Sequence, residues 1–291
     1  MKIHQIQNPY LQIAVKKQGA ELTSIRSQTT GIEYLWQADP KIWGRHAPIL
    51  FPIVGRLKDD RYLLNGKEYQ MAQHGFARDR EFTLDHQSYN SLHLILEHDE
   101  KTLEQFPFRF QLYVGYELVN ASLLIHYHVT NLDIIPMFFS IGAHPGFRCP
   151  LIEGERYEDY HLKFEKEESL KRFFITEDGL ITDNSAQIAL QNQTLPLSHT
   201  LFNQGALVFK SLQSKKITLK NRKNEHGVSV SSYGFTNLGI WAKPEADFVC
   251  IEPWRGYGDI ETASGLLEEK EGIVRLNPRE KFTVTNKYSF F

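Results

Sequence analysis

Gln111-Leu112-Tyr113-Val114-Gly115-Tyr116-Glu117-Leu118 alternates, with Leu112, Val114, Tyr116 and Leu118 falling on one side and Tyr113, Gly115 and Glu117 on the other. Successive side chains of an extended chain point to opposite faces, so this run reads as a strand with one face buried. The same period-two pattern recurs at Leu123 to Thr130. Toward the amino end it returns at Leu92 to Leu96, Ile32 to Trp36, Ala20 to Ile25 and Tyr10 to Val15. Toward the carboxyl end come an apolar run from Pro136 to Ile141, then His161 to Phe164, Ala206 to Phe209, Lys216 to Leu219, Val228 to Ser232, Leu238 to Ala242, Phe248 to Glu252 and Phe282 to Phe290. Asn65-Gly66 between Arg61-Tyr62-Leu63-Leu64 and Lys67-Glu68-Tyr69 signals a hairpin with a type I′ turn.

Helical signals are few: Glu100 to Gln105 stopped by Pro107, a turn near His199 to Asn203, and Ala263 to Lys270. Pro150 to Tyr160 reads as a polar loop. Many strands and no strand–helix–strand alternation predict a mainly β fold, a large antiparallel β-sandwich with few short helices. No linker or internal repeat divides residues 1–291, so a single domain is expected.

With 33 basic and 35 acidic residues the formal net charge is −2, which provides no one-signed field for nucleic acid or an anionic membrane. A neutral polar substrate, or one whose charge is met locally, fits better. Two cysteines, Cys149 and Cys250, make no disulfide framework, and Met1-Lys2-Ile3-His4 begins no signal-peptide apolar stretch, so a reducing, cytoplasmic setting is expected. No apolar run approaches the ~20 residues of a membrane helix. Monomer and homodimer both stay open.

Three segments concentrate residues able to do chemistry. Ser140-Ile141-Gly142-Ala143-His144-Pro145-Gly146-Phe147 ends an apolar run in a Gly/Pro-fixed turn that presents His144, with Phe147 near enough to offer an apolar face. The plainer reading is a turn histidine bonded to a carbonyl. Gln73-His74-Gly75-Phe76-Ala77-Arg78 carries a second histidine. In Cys250-Ile251-Glu252-Pro253-Trp254 an apolar strand ends at a carboxylate, with an indole that could stack on a sugar; a solvated strand-end glutamate is the alternative.

These segments, with Gly19-Ala20-Glu21-Leu22-Thr23-Ser24 and the stretch from Arg45-His46-Ala47-Pro48 to Val54-Gly55-Arg56, resemble motifs of the aldose 1-epimerase (galactose mutarotase-like) family. The likeness runs over nearly the whole chain. It implies a β-sandwich of the galactose mutarotase-like supersandwich kind with a sugar on a concave sheet face, and an isomerase needing no cofactor or metal. Its substrate would be a small-molecule sugar or sugar phosphate. Mutarotation opens the ring of a free sugar, turns the bond from C1 to C2 and closes the ring again. A base must take the C1 hydroxyl proton and an acid must protonate the ring oxygen. The resemblance assigns the acid to His144 and the base to Glu252. Reference values near ~4.3 for Glu and ~6.5 for His would leave one ionised and the other able to carry charge.

The resemblance also makes His74 a donor to the substrate, unless it merely holds the Gly75 turn, and Arg56 a substrate-binding arginine, unless it pairs with Asp59 or Asp60. In the branch that acts on hexose 6-phosphates, arginines matching Arg45 and Arg78 hold the phosphate, work for which a bidentate guanidinium is suited. The chain also looks like members encoded beside lactose or tagatose 6-phosphate genes. It departs from the galactose-specific branch at Ala143-His144-Pro145, where that branch carries Asn-His and an aromatic, which argues against galactose as sole substrate. Two weaker readings remain. One is a sugar-binding module without catalysis. The other is a cupin-like metal site on His126-Tyr127-His128, which lacks the glutamate expected to follow and fits surface histidines on an edge strand better.

Overall fold

The computed structural model describes residues 2–291. Two antiparallel sheets dominate. The nine-stranded sheet runs in the order Thr194–Pro196, Tyr160–Phe164, Lys216–Asn221, Gly227–Tyr233, Lys281–Phe290, Ser122–Asn131, Phe110–Val119, Ser91–Glu97, Thr83–Gln87. The opening alternation is realised there: Leu112, Val114, Tyr116 and Leu118 are buried, and Tyr113 and Glu117 are half-buried on the other face. The eight-stranded sheet runs Ile181–Ile188, Leu170–Ile175, Leu207–Phe209, Asn237–Trp241, Phe248–Arg255, Ile141–Ala143, Ile49–Leu50, and Gly146–Arg148 also pairs with Phe248–Arg255. The faces meet through aromatic rings, as where Phe147 packs edge-on against Tyr288 at 5.5 Å. One buried apolar cluster extends from Ile6 to Phe290.

The hairpin forms as read, Arg61–Leu64 with Lys67–Gln70, and both Asn65 (φ 50°) and Gly66 (φ 76°) take the left-handed conformation that a type I′ turn needs. Helix Glu100–Gln105 also forms, capped by Asp99, whose carboxylate accepts the Thr102 N–H at 2.7 Å.

Several expectations are corrected. Pro136 to Ile141 is not one strand: Met137–Phe139 pairs with Val274–Leu276, and at Ser140 the chain changes partner so that Ile141–Ala143 joins the eight-stranded sheet. Ile32 to Trp36 makes only isolated bridges at Glu33 and Leu35. Ala263 to Lys270 is not a helix, because Gly265 takes φ +80° and Leu266 is extended, leaving a 3-10 turn at Leu267–Glu269. Glu252 does not end its strand, which continues to Arg255. His126 and His128 lie on Ser122–Asn131, an inner strand and not an edge. His126 Nδ1 bonds Thr285 Oγ1 at 3.0 Å and His128 stacks on Tyr113 at 4.7 Å.

Candidate active site

Along Phe248–Arg255 the alternation puts Cys250, Glu252 and Trp254 on one face and Val249, Ile251 and Pro253 on the other. Glu252 and Trp254 line a cavity of about 770 Å3, inside the ~300–1,000 Å3 range of small-molecule sites. Trp254, Ile181 and Val208 give it an apolar lining and belong to a buried apolar cluster with Leu50, Val54 and Tyr257. Trp254 lies over two glycines of the flanking strands. A Cβ at Gly239 would sit 2.3 Å from the indole, and one at Gly142 2.7 Å from it. The glycine of Gly-x-His is therefore needed by the tryptophan ring as well as by the turn.

His144 follows Ile141–Ala143 and is anchored by its own N–H to the Pro48 carbonyl at 3.1 Å, while Gly146 N–H reaches the His46 carbonyl at 2.8 Å. Its ring stacks on Trp43 (centroids 5.1 Å, 29°) and meets the edges of Trp241 and His74 at 5.9 and 5.7 Å. Packed this way it has one orientation, with Nε2 lying 3.2 Å from Glu252 Oε2. Two motifs far apart in sequence thus meet within hydrogen-bond reach at the cavity wall.

Both groups are buried, Glu252 with 2 % of its side chain exposed and His144 with 12 %. Burial pushes the Glu252 carboxyl well above the usual carboxylate range. The Trp254 indole N–H favours the charged form but makes no aligned hydrogen bond to it. Burial takes the His144 imidazole down to about 3, opposed by its own main chain and helped by Arg78 and Arg45. Burial favours the neutral form of each group, a protonated carboxyl beside an unprotonated imidazole, so that the pair carries one proton between them. Burial therefore works against the ionised glutamate and charged histidine expected from reference values.

His74 takes φ +68° beside Gly75, whose missing Cβ would lie 2.3 Å from the Phe51 carbonyl oxygen. Its Nδ1 accepts the Gly55 N–H at 3.1 Å, which leaves Nε2 as the ring nitrogen carrying the proton. Burial first, then His144, Arg78 and Arg45, hold its imidazole well below the ordinary value, so the ring is neutral.

Arg45 and Arg78 also line the cavity. Arg45 Nη2 is 2.8 Å from Asp79 Oδ1, and Arg78 Nη2 donates to the Gln73 carbonyl at 2.6 Å. The Gly19-Ala20-Glu21 motif supports both from behind. Glu21 is fully buried and accepts the His46 and Ala47 N–H groups at 2.7 and 3.1 Å, and a Cβ on Gly19 would meet the Arg78 carbonyl oxygen at 2.6 Å.

Two expected site residues stand elsewhere. Arg56 does not line the cavity: its guanidinium grips Asp60 with two bonds of 2.7 and 2.6 Å and the Asp178 carbonyl with a third of 3.2 Å. Phe147 is fully buried between the sheets, because it pairs with Val249 and the one-residue offset from Cys250 turns it to the other face. Conversely, Trp43, Gln73 and two wall segments, Phe174 to Glu177 and Gln204 to Ala206, were not read from the sequence. Arg172 fixes the second segment, donating to the Gln204 side chain at 3.4 Å and the Gln204 carbonyl at 2.6 Å. Trp43, two residues before Arg45, and Gln73, next to His74 in its motif, carried a usable signal.

The aldose 1-epimerase family model matches residues 2–273. The chain belongs to the aldose 1-epimerase family. Within reach of this epimerase-family chain is Protein LacX, plasmid, of Lactococcus lactis subsp. lactis, 37% identical over 98% of the chain and 97% of that protein. A galactose mutarotase related enzyme from Lactobacillus acidophilus shares its structure at TM-score 0.93, with 36% identity over 100% of this chain and 97% of the other. A galactose mutarotase-like protein from Lactobacillus casei matches equally well in structure, TM-score 0.93, with 31% identity and full coverage of both chains. The galactose mutarotase-like fold and the family expected from the sequence therefore both hold.

Proposed function

We propose that this family member is a catalytically active aldose 1-epimerase, a single-domain enzyme that interconverts the α and β anomers of a hexose or hexose 6-phosphate. The observation that carries the reading is the 3.2 Å approach of His144 Nε2 to Glu252 Oε2 on the wall of a sugar-sized cavity. The pair holds one proton in either of two arrangements, and the competent one is a carboxylate facing an imidazolium. It is reached by moving that proton from Oε2 to Nε2, which changes no net charge. A sugar bound against the pair gives its C1 hydroxyl proton to Glu252 and receives one at the ring oxygen from His144, and the ring opens. Ring closure on the other face reverses both transfers, so no outside acid or base is needed.

His74, neutral and protonated on Nε2, is placed to donate to a sugar oxygen without competing for the shared proton. Trp254 and Trp43 offer apolar faces, and Gln73, Glu177 and Gln204 supply polar atoms for hydroxyl groups. Arg45 and Arg78 favour a substrate carrying a phosphate: two guanidinium groups at one side of the cavity share a single carboxylate partner, Asp79, leaving positive charge in excess. No helix among the described residues is long and apolar enough to cross a membrane.

Polarimetry on freshly dissolved α-glucose and α-galactose, each with and without a 6-phosphate, tests the proposal. The expected result is a relaxation rate that rises in proportion to enzyme, most strongly with a phosphorylated sugar. Sugar binding without any acceleration would make the protein a carbohydrate-binding module of this fold.

A further inference from the structure

Behind the acid–base pair lies a group that the reaction does not use. Cys250 shares its strand face with Glu252, two residues on, and pairs across the sheet with Gly146, in the turn that carries His144. One ring nitrogen of His144, the Cys250 sulfur and one Glu252 carboxylate oxygen lie within 4.8 Å of one another, and all three residues are buried. These are the three donor types that zinc combines, and in sites that bind exchangeable ligands zinc keeps three protein donors and one open position.

Tetrahedral bonds of ~2.0–2.3 Å put neighbouring donors roughly 3.3–3.7 Å apart. His144 Nε2 and Glu252 Oε2, at 3.2 Å, already stand at that separation. Closing the triangle on the sulfur takes a movement on the order of 1 Å, within the reach of a side-chain adjustment. Charge also balances. A divalent ion would displace the thiol proton and the one proton shared by the pair, releasing two protons and leaving thiolate, carboxylate and neutral imidazole. The site as a whole is then uncharged, as a buried site requires. His144 and Glu252 line the cavity and Cys250 does not, so the open fourth position faces the sugar.

We propose that His144, Cys250 and Glu252 form an inhibitory site for one thiophilic divalent cation, zinc or cadmium, which competes with the sugar for the catalytic pair. Hard ions such as magnesium are poor ligands for a thiolate and are not expected there. The inhibition rests on the epimerase reading above; the binding does not.

The test therefore reads binding directly. Chelator-treated wild-type protein titrated with Co2+ should show a thiolate-to-cobalt charge-transfer absorption that saturates at one ion per chain and is abolished by Zn2+. Cys250→Ser and Cys250→Ala, each checked for native circular dichroism, should lack that band and bind Zn2+ more weakly by on the order of 100-fold. A His86→Asn/His93→Asn variant should keep the band, because that surface histidine pair, with rings 5.1 Å apart, stands away from the cavity. In polarimetry Zn2+ should slow wild type, with full recovery on adding chelator, and leave a folded Cys250→Ser enzyme active. Absence of the cobalt band in wild type, or equal Zn2+ affinity and inhibition in wild type and the Cys250 variants, overturns the proposal. A protein that shows the band but has no epimerase activity keeps the metal site and loses the epimerase reading.

Discussion

The Trp254 indole occupies the space that a side chain at Gly239 would need, so these residues on neighbouring strands are complementary to within one methyl group. The ring is thereby pressed onto the sheet beside Glu252, with 6 % of the residue exposed. Gly239→Ala should displace the indole and cost about 1–3 kcal/mol of stability through overpacking. Thermal denaturation checks this: an unchanged melting temperature means the ring has room that the structure does not give it.

His144 and Glu252 should leave a recognisable signature in stability against pH. The folded pair holds one proton, because burial raises the carboxyl and lowers the imidazole. In the unfolded chain the two groups titrate separately, near ~4.3 and ~6.5. Below ~4.3 the unfolded pair binds two protons, so the contribution is lost as pH falls; between the two values each state binds one and it is level. Above ~6.5 the unfolded pair binds none and the contribution is lost as pH rises, by up to ~1.4 kcal/mol per pH unit. Urea unfolding of wild type minus that of the Glu252→Gln/His144→Asn variant should trace this flat-topped curve. A difference that keeps growing on the alkaline side contradicts the shared proton.

Arg45→Ala and Arg78→Ala should each raise KM for a hexose 6-phosphate by ~10–100-fold, the worth of a charged hydrogen bond, and change KM for the plain hexose about twofold at most. Arg56→Ala should alter neither beyond about twofold, since its guanidinium is held by Asp60 outside the cavity. Equal changes for phosphorylated and plain sugars in the Arg45 and Arg78 variants would remove the phosphate from the account.

Gly75→Ala should lower activity and stability together. The residue takes φ +70° and its Cβ would strike the Phe51 carbonyl, so the substitution must move His74, whose Nδ1 depends on the Gly55 N–H next door. A cost of about 1–3 kcal/mol is expected from the backbone strain alone. Native stability with full activity would mean that the His74 turn is free to relax.

Much of the fold was legible because half-buried strands alternate. Gln111 to Leu118 and Asn65-Gly66 state their conformations in local chemistry, and Asp99 caps its helix with its own side chain. What stayed hidden depends on partners far along the chain. Asp183 to Gln187 is wholly exposed on the edge strand Ile181–Ile188 and shows no apolar period. Ser140 switches sheets within an unbroken apolar run, and nothing local marks the change. At the site, His144, Glu252, His74, Arg45 and Arg78 came from motifs, and the structure brings all five to one cavity. Phe147 was misplaced because a motif gives neighbours in sequence but not the face a side chain takes, and Arg56 makes the alternative pairing with Asp60. Nor could reference values foresee that burial would work against the charges assigned to the pair.

The central claim is that Glu252 takes the proton from the sugar. Polarimetry on the Glu252→Gln enzyme tests it most directly, since glutamine keeps the shape and removes the base. A rate lowered by about 100-fold or more with sugar affinity retained is the predicted result, and unchanged turnover in the folded variant would contradict the account.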